Sequence, residues 1–170
     1  GTGSWDFGGG GGTQSMIAIG TVSSVNYFVW SGQNKQGPSG TNSDWNAGVS
    51  AIGELNASTG AVTWNSSFFK FDEDGGGQAN QTQSVGVCFD EGAGKFVIFY
   101  THGAYSSTDR DAHMIVATPS GTGSTSSLSY GTAVEINANS FFGGGGRNVV
   151  PVYDSDLQRT ILFAGYDDRI

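Results

Sequence analysis

Residues 84–100, SVGVCFDEGAGKFVIFY, decide the fold of this chain. An apolar segment, a polar turn and a second apolar segment follow one another, which predicts two antiparallel strands joined by a tight reversal. The same unit occurs three times, because residues 18–30, 88–100 and 152–164 align without a gap. The hairpin therefore belongs to a repeat, and the repeat predicts the architecture.

Further elements recur at matching positions around each hairpin. A polar strand with alternating apolar residues precedes it, a glycine tract separates the two, and a polar loop leads from the hairpin to another apolar strand. The alternating strands are residues 4–7, 69–72 and 133–136, the glycine tracts are 8–12, 75–77 and 143–146, the later apolar strands are 48–53 and 113–117, and the hairpin turns are 20–26, 90–95 and 154–159.

Four strands per unit predict an all-β chain of repeated four-stranded antiparallel units, arranged as β-propeller-like blades. A three-sided prism or a sandwich is the alternative. We expect one all-β repeat region, residues 1–170, with units 1–64, 65–130 and 131–170, the last incomplete. Because a propeller usually closes with at least four blades, we expect the chain to be part of a longer polypeptide.

The apolar strands of the repeat do not alternate strictly between apolar and polar residues. Residues 16–19, MIAI, and 96–100, FVIFY, are apolar at consecutive positions. Strands covered on both faces have this pattern, since neither face can be polar. We therefore expect the hairpin strands to be sandwiched between neighbouring units.

Composition and charge exclude several classes of protein. The net charge of −8, with only 7 Lys and Arg, argues against a nucleic-acid partner, which requires clustered basic residues. No apolar run is long enough to predict insertion into a membrane. The single cysteine, Cys88, lies within an apolar strand, so we expect it to be a small buried hydrophobe.

Three segments resemble the degenerate repeats of phage tail-fibre and virion-appendage proteins, particularly those of marine and cyanobacterial phages. The segments are VATPSG at 116–121, SLSYGTAV at 127–134 and VVPVYD at 149–154, together with Arg159, the TILF run at 160–163 and Tyr166-Asp167. The resemblance implies propeller-like blades in an extended virion or extracellular protein. It brings no catalytic residues with it.

Carboxylates and histidines are the candidates for catalysis. A glycan-degrading propeller enzyme, the alternative function, would need carboxylates such as Asp72, Asp109 and Asp154 to converge in one cleft. His102 and His113 flank a loop that contains acidic residues, but no zinc-protease motif or nucleophile elbow accompanies them. We therefore predict that the chain is not an enzyme.

Metal and ligand candidates lie in the predicted loops. Asp72, Asp74, Asp154 and Asp156 are oxygen donors that suit calcium rather than zinc, although ordinary acidic turns explain them more simply, and we predict no cofactor. Aromatic rings beside Asn, Asp and Gly suit contact with saccharides or with protein partners. The predicted contact residues are Trp45, Tyr105, Phe141 and Phe142.

Together these features predict a non-enzymatic structural or receptor-binding segment of a viral tail fibre or appendage. The expected partners are copies of itself, other virion subunits, and a host surface saccharide. The expected location is the virion or the extracellular space. A bacterial surface or filament subunit is a further alternative.

Overall fold

The computed structural model describes residues 15–34, 47–72, 81–103, 111–137 and 149–164. These residues form strands, turns and a short 3-10 helix, Gly123–Thr125, so the all-β prediction is confirmed. The strands are β1 (Met16–Val22), β2 (Val25–Asn34), β3 (Ala47–Leu55), β4 (Val62–Trp64), β5 (Phe69–Asp72), β6 (Gln81–Asp90), β7 (Lys95–Gly103), β8 (Asp111–Ser120), β9 (Ser127–Tyr130), β10 (Val134–Asn137), β11 (Val149–Asp154) and β12 (Arg159–Ala164). The predicted glycine tracts lie outside the described residues.

The strands form three antiparallel sheets that follow the repeat. In the first sheet β1, β2 and β3 pair in chain order, and β4 and β5 both pair with β3. The second sheet repeats this order with β6, β7 and β8, and with β9 and β10 both on β8. The third sheet consists of β11 and β12. The fourth position of each complete sheet is thus a strand divided in two.

The alternating strand 69–72 pairs differently from the sequence-based assignment, which placed it at the start of the second unit. As β5 it instead continues the edge of the first sheet, pairing with Gly48–Ser50 while β4 pairs with Gly53–Leu55. β10 completes the second sheet in the same way. The physical reason is that β3 is nine residues long, so two short strands are needed to satisfy its outer backbone groups. Lys70 on β5 is exposed, as suits a sheet edge.

The hairpins match the predicted repeat, but the first turn is shorter than expected. Only Ser23 and Ser24 lie between β1 and β2, and both have positive φ, 49° and 68°. This left-handed geometry matches the strand twist of a two-residue hairpin. The other two hairpins turn through four residues, 91–94 and 155–158. The two strands of the first hairpin therefore extend closer to the turn than the sequence indicated.

The main hydrophobic core lies between the first and second sheets. Buried side chains from both sheets meet there, with Tyr27, Val29, Ile52 and Phe71 on one side and Val85, Val87, Phe96, Ile98, Tyr100, Ile115, Ala117 and Leu128 on the other. Phe71 packs against Tyr100 with ring centroids 5.1 Å apart. The first two sheets therefore share one core.

Polar contacts fasten one edge of this core. The carboxylate of Glu54 accepts a hydrogen bond from the Gly123 amide at 2.7 Å, and the Asn65 side-chain amide donates to the Ser126 carbonyl at 2.7 Å. The Tyr27 hydroxyl donates to the Gly121 carbonyl at 2.8 Å. Burial, with a smaller effect of Glu54, raises the pKa of Tyr27. Strands of the first sheet are thereby tied to the β8–β9 connection of the second.

The third sheet covers the opposite face of the second sheet. Cys88, Val97 and Phe99 pack there against Val149, with Met114 and Leu162 at the margin. The prediction that Cys88 is a buried hydrophobe is confirmed, and its burial raises the pKa of the thiol to about 11. The second sheet is consequently covered on both faces, as its continuous apolar strands predicted.

Candidate functional site

Most of the sequence-predicted contact and metal residues lie outside the described residues. This applies to the four loop aromatics Trp45, Tyr105, Phe141 and Phe142 and to the acidic residue Asp74. Asp72, Asp154 and Asp156 are described. The geometry of these three carboxylates can therefore be compared with the predicted roles.

Asp72 takes part in a polar cluster that joins the first and second sheets. The Thr82 hydroxyl donates to Asp72 Oδ2, and His102 Nδ1 lies 2.8 Å from the same oxygen. All three side chains lie at the end of the strands opposite the hairpin turns. A Ser-His-Asp type triad needs the histidine between the hydroxyl and the carboxylate. Here the hydroxyl contacts the carboxylate directly, so the arrangement suits inter-sheet cohesion rather than activation of Thr82.

His113 extends this cluster through ring contacts. It stacks on Tyr100 with centroids 5.4 Å apart and meets the His102 ring edge-on at 5.8 Å. The two histidines are on neighbouring strands, β7 and β8. Within the described ranges no group of three or more His, Cys, Asp or Glu side chains is arranged to hold a metal ion.

Asp154 organises its own hairpin turn. Its Oδ1 accepts hydrogen bonds from the backbone amides of Asp156 and Leu157 at 3.0 and 2.9 Å. Such a side-chain-to-backbone turn is the structural role in which Asp commonly appears. The Asp156 side chain is exposed.

Asp72 and Asp154 lie at opposite ends of the molecule's strands. Asp72 contacts Thr82 at the start of β6, whereas Tyr153, next to Asp154, contacts Gly92 just beyond the end of β6. At about 3.3 Å per residue the length of β6 separates the two carboxylates by roughly 20 Å or more. Glycoside hydrolysis needs carboxylates roughly 5 to 10 Å apart. These two residues cannot form a catalytic pair.

An exposed apolar surface lies on the outer face of the first sheet, which we call the first-sheet face. It carries a groove of about 480 Å³. The groove is lined by Ile17, Phe28, Trp30, Ala51, Trp64, Asn65, Ser66 and Phe68. None of these residues is charged, although the chain has 22 Asp, Glu, Lys and Arg residues in all, 15 acidic and 7 basic.

The aromatic walls of this groove are held by ring contacts. Phe28 and Trp64 meet edge-to-face with centroids 5.1 Å apart, and Trp30 and Phe68 do so at 6.3 Å. Such contacts fix ring positions and add to the stability gained by burial. Even so, Ile17 is 54% exposed and Trp64 is 42% exposed. The structure thus preforms an apolar surface on which Ile17 and Trp64 are about half open to solvent.

A second uncovered apolar surface lies at the other end of the sheet stack. It is the outer face of the third sheet, which we call the third-sheet face. Its exposed side chains are Val150, Val152, Ile161 and Phe163. The described part of the chain therefore ends in an apolar sheet face on each side.

Sequence reasoning missed both faces because it looked for ligand contacts in loops. The signal was nevertheless present. β1 and β12 contain apolar runs, MIAI at 16–19 and ILFA at 161–164, like those in β6 and β7, and this pattern was interpreted as burial on both faces. In β6 and β7 that interpretation is confirmed. In β1 it is wrong for Ile17 and Ile19, which are both 54% exposed. Sequence shows that a face is apolar, not which sheet covers it.

Comparisons of the chain with protein-family models, curated proteins and solved structures find no match. Within the described ranges there is no helix with the length and hydropathy needed to span a bilayer. The uncovered sheet faces are accordingly the features on which a functional interpretation depends.

Proposed function

We propose that the chain is a non-enzymatic structural segment of a viral tail fibre or appendage and that it contacts a neighbouring protein subunit through the first-sheet face. The observation that carries the proposal is the open, uncharged groove of that face, with Ile17 and Trp64 about half exposed. Contiguous exposed apolar patches of this kind mark sites of protein interaction. The resemblance of the segments 116–121, 127–134, 149–154, 159–163 and 166–167 to tail-fibre repeats supports the assignment to a virion.

Covering the exposed side chains of this face contributes favourably to the free energy of association. Fully burying an aliphatic side chain contributes about 1.5–3 kcal/mol, so covering the exposed halves of Ile17, Ile19 and Trp64 contributes on the order of 3 kcal/mol. The aromatic rings already hold one another in place, so a partner loses little side-chain entropy in ordering them. A preformed apolar face therefore favours subunit packing.

A saccharide receptor is the second candidate, because Trp30, Trp64 and Phe68 offer rings on which a sugar can stack. Saccharide sites also need polar groups aimed at the hydroxyls. Asn65 bonds instead to its own chain, donating to the Ser126 carbonyl and accepting from the Ser67 amide at 2.7 Å. The small supply of polar groups around the groove makes protein the better occupant.

Hydroxyl-radical footprinting of the assembled particle tests the proposal. Oxidation of Trp64 is measured by mass spectrometry in the purified chain and in virions that contain it. We expect Trp64 to react readily in the purified chain and to be protected in the particle. Leu157, in an exposed hairpin turn, serves as the reference residue.

Three results would contradict the proposal. Trp64 that stays reactive in the particle would place the face in solvent, and a glycan array in which wild type binds but Trp64→Ala does not would assign it to a saccharide. Particles that lack the chain, combined with its recovery from a bacterial surface or filament, would favour the bacterial alternative.

A further inference from the structure

We propose that the partner on the first-sheet face is a second copy of this chain, docked through its third-sheet face. This inference rests on the proposed function, because it names the subunit that the structural segment contacts. The contact would be head-to-tail, because two different faces meet. The dimer then keeps one free first-sheet face and one free third-sheet face, on different copies, for further copies or for closing a ring.

The repeat shows which face of each sheet points to the next sheet. In the gapless alignment, Tyr27 and Val29 of the first sheet correspond to Val97 and Phe99 of the second. Tyr27 and Val29 pack into the core shared with the second sheet. Val97 and Phe99 pack against the third sheet. The same two strand positions therefore contact the next sheet along the chain twice within one molecule. We call the face that carries these positions the forward face of a sheet, and the opposite face, which contacts the preceding sheet, the receiving face.

The third sheet presents these positions without a following sheet among the described residues. Ile161 and Phe163 correspond to Val97 and Phe99, and they are 36% and 59% exposed. Val152, which corresponds to Cys88, is exposed beside them. The third-sheet face thus carries apolar residues at the same strand positions as the covered forward faces of the first and second sheets.

Equivalent residues also show which face of each sheet contacts the preceding sheet. Ile98 of the second sheet packs toward the first sheet, and its equivalent Leu162 packs toward the second. The corresponding residue of the first sheet is Phe28, which lines the open groove. Ile17, also in the groove, corresponds to Val87, which is buried against the first sheet. The first-sheet face is therefore the receiving face of the series.

A second copy of the chain offers a third-sheet face to the open first-sheet face, and a first-sheet face to the open third-sheet face. The contact between a forward and a receiving face already occurs between the first and second sheets and between the second and third. Docking another copy continues this contact through sheets of the same repeat. Each copy carries a net charge of −8, so copies repel one another at a distance. The groove residues of the first-sheet face and the four exposed side chains Val150, Val152, Ile161 and Phe163 of the third-sheet face are uncharged. Salt should consequently strengthen the association by screening the repulsion.

Face-blocked variants and their mixture test the proposal by sedimentation velocity. Ile17→Glu blocks the first-sheet face, and Phe163→Glu blocks the third-sheet face. Leu157→Glu is the matched control, because Leu157 is 62% exposed but lies in the hairpin turn outside both faces. Circular dichroism confirms that each variant is folded. If Ile17→Glu is not folded, Ile17→Ser replaces it, and if Phe163→Glu is not folded, Phe163→Ser replaces it.

We expect wild type and Leu157→Glu to form dimers or larger species whose share grows with salt. Ile17→Glu and Phe163→Glu should each associate about 30-fold or more weakly on their own, because a carboxylate would be buried without a partner. Mixed together they should form a one-to-one dimer, since the Ile17→Glu copy keeps an intact third-sheet face and the Phe163→Glu copy an intact first-sheet face.

Three results would overturn the proposal. They are a wild-type chain that stays monomeric at high concentration and high salt, a mixture that remains monomeric, and one blocked variant that still self-associates as wild type does. If the purified chain is monomeric but Trp64 is protected in virions, the second copy is wrong and the proposed structural function stands. If the copies associate but Trp64 reacts in virions, the proposed function fails.

Discussion

Gly86 is a point of close approach between the second and third sheets, so Gly86→Ala should loosen the third sheet alone. A Cβ at this position would lie 2.6 Å from the Val149 carbonyl oxygen and 2.5 Å from Pro151 Cδ. Both neighbours are backbone or ring atoms that cannot rotate away. The β11–β12 hairpin must therefore shift outward to admit the methyl group.

The size of the effect follows from what the shift uncovers. Val149 is only 2% exposed and Leu162 packs beside it, so moving the hairpin reduces the burial of both side chains. Overpacking typically costs about 1–3 kcal/mol, and we take about 2 kcal/mol for this site. Because 1.4 kcal/mol is a factor of ten, the open form of the hairpin should become about 30-fold more populated.

Hydrogen exchange read by mass spectrometry is the appropriate assay, since it reports local opening strand by strand. Peptides from β11 and β12 should exchange about 30-fold faster in Gly86→Ala, whereas peptides from β2 and β3 should be unchanged. Gly131→Ala is the control, because the nearest atom to its added Cβ is 3.8 Å away. Equal acceleration in all strands, or none in β11 and β12, would refute a separately docked third sheet.

Two further predictions concern the first turn and alkaline pH. Ser24→Gly should raise the free energy of unfolding by about 0.5 kcal/mol in urea titrations, because a φ of 68° is unfavourable for a residue other than glycine. Ser58→Gly is the control. Ser58 does not have a positive φ, so this change should lower the free energy of unfolding or leave it unchanged. Burial raises the pKa of Cys88 from 9.0 to about 11, so the stability that depends on the neutral thiol is fully present below pH 9 and is lost as pH rises toward 11. Cys88→Ala should remove that part of the decline, while Tyr27 and Tyr130, whose pKa values burial raises, should still destabilise the fold at higher pH; an unchanged profile in the variant would contradict the assignment.

The hairpins could be predicted from sequence because their information is local. Residues 84–100 contain the turn and the adjoining parts of β6 and β7, and the register of Gly86–Asp90 with Lys95–Phe99 follows from that turn. The partner of β5 could not be predicted in this way. Its alternation between Phe69, Lys70 and Phe71 shows a half-exposed strand, but pairing with β3 is a contact across about 20 residues of chain that periodicity does not encode.

The candidate site was harder to predict than the fold. Residue types indicate which chemical contacts are available, but they do not show which side chains are exposed in the folded chain. Composition directed attention to aromatic rings in polar loops, where saccharides are commonly bound. Those loop aromatics lie outside the described residues, and among the described ones the structure exposes Trp64 on a short strand and Ile17 on a long one. Both residue types normally indicate a core, so only the count of sheets, and not the pattern within β1, reveals that the face is open.

The third sheet has a consequence for how copies of the chain could exchange parts. A two-stranded hairpin is marginally stable by itself, so β11 and β12 depend on one face of contact with the second sheet. The Gly92 amide also donates to the Tyr153 hydroxyl of the third sheet. The first and second sheets are fastened by three such bonds, through Glu54, Asn65 and Tyr27, as well as by their larger core. A hairpin that detaches while the rest stays folded can dock on the second sheet of another molecule. The chain therefore carries a ready element for domain swapping, and concentrated preparations that are briefly warmed and then cooled should contain intertwined dimers.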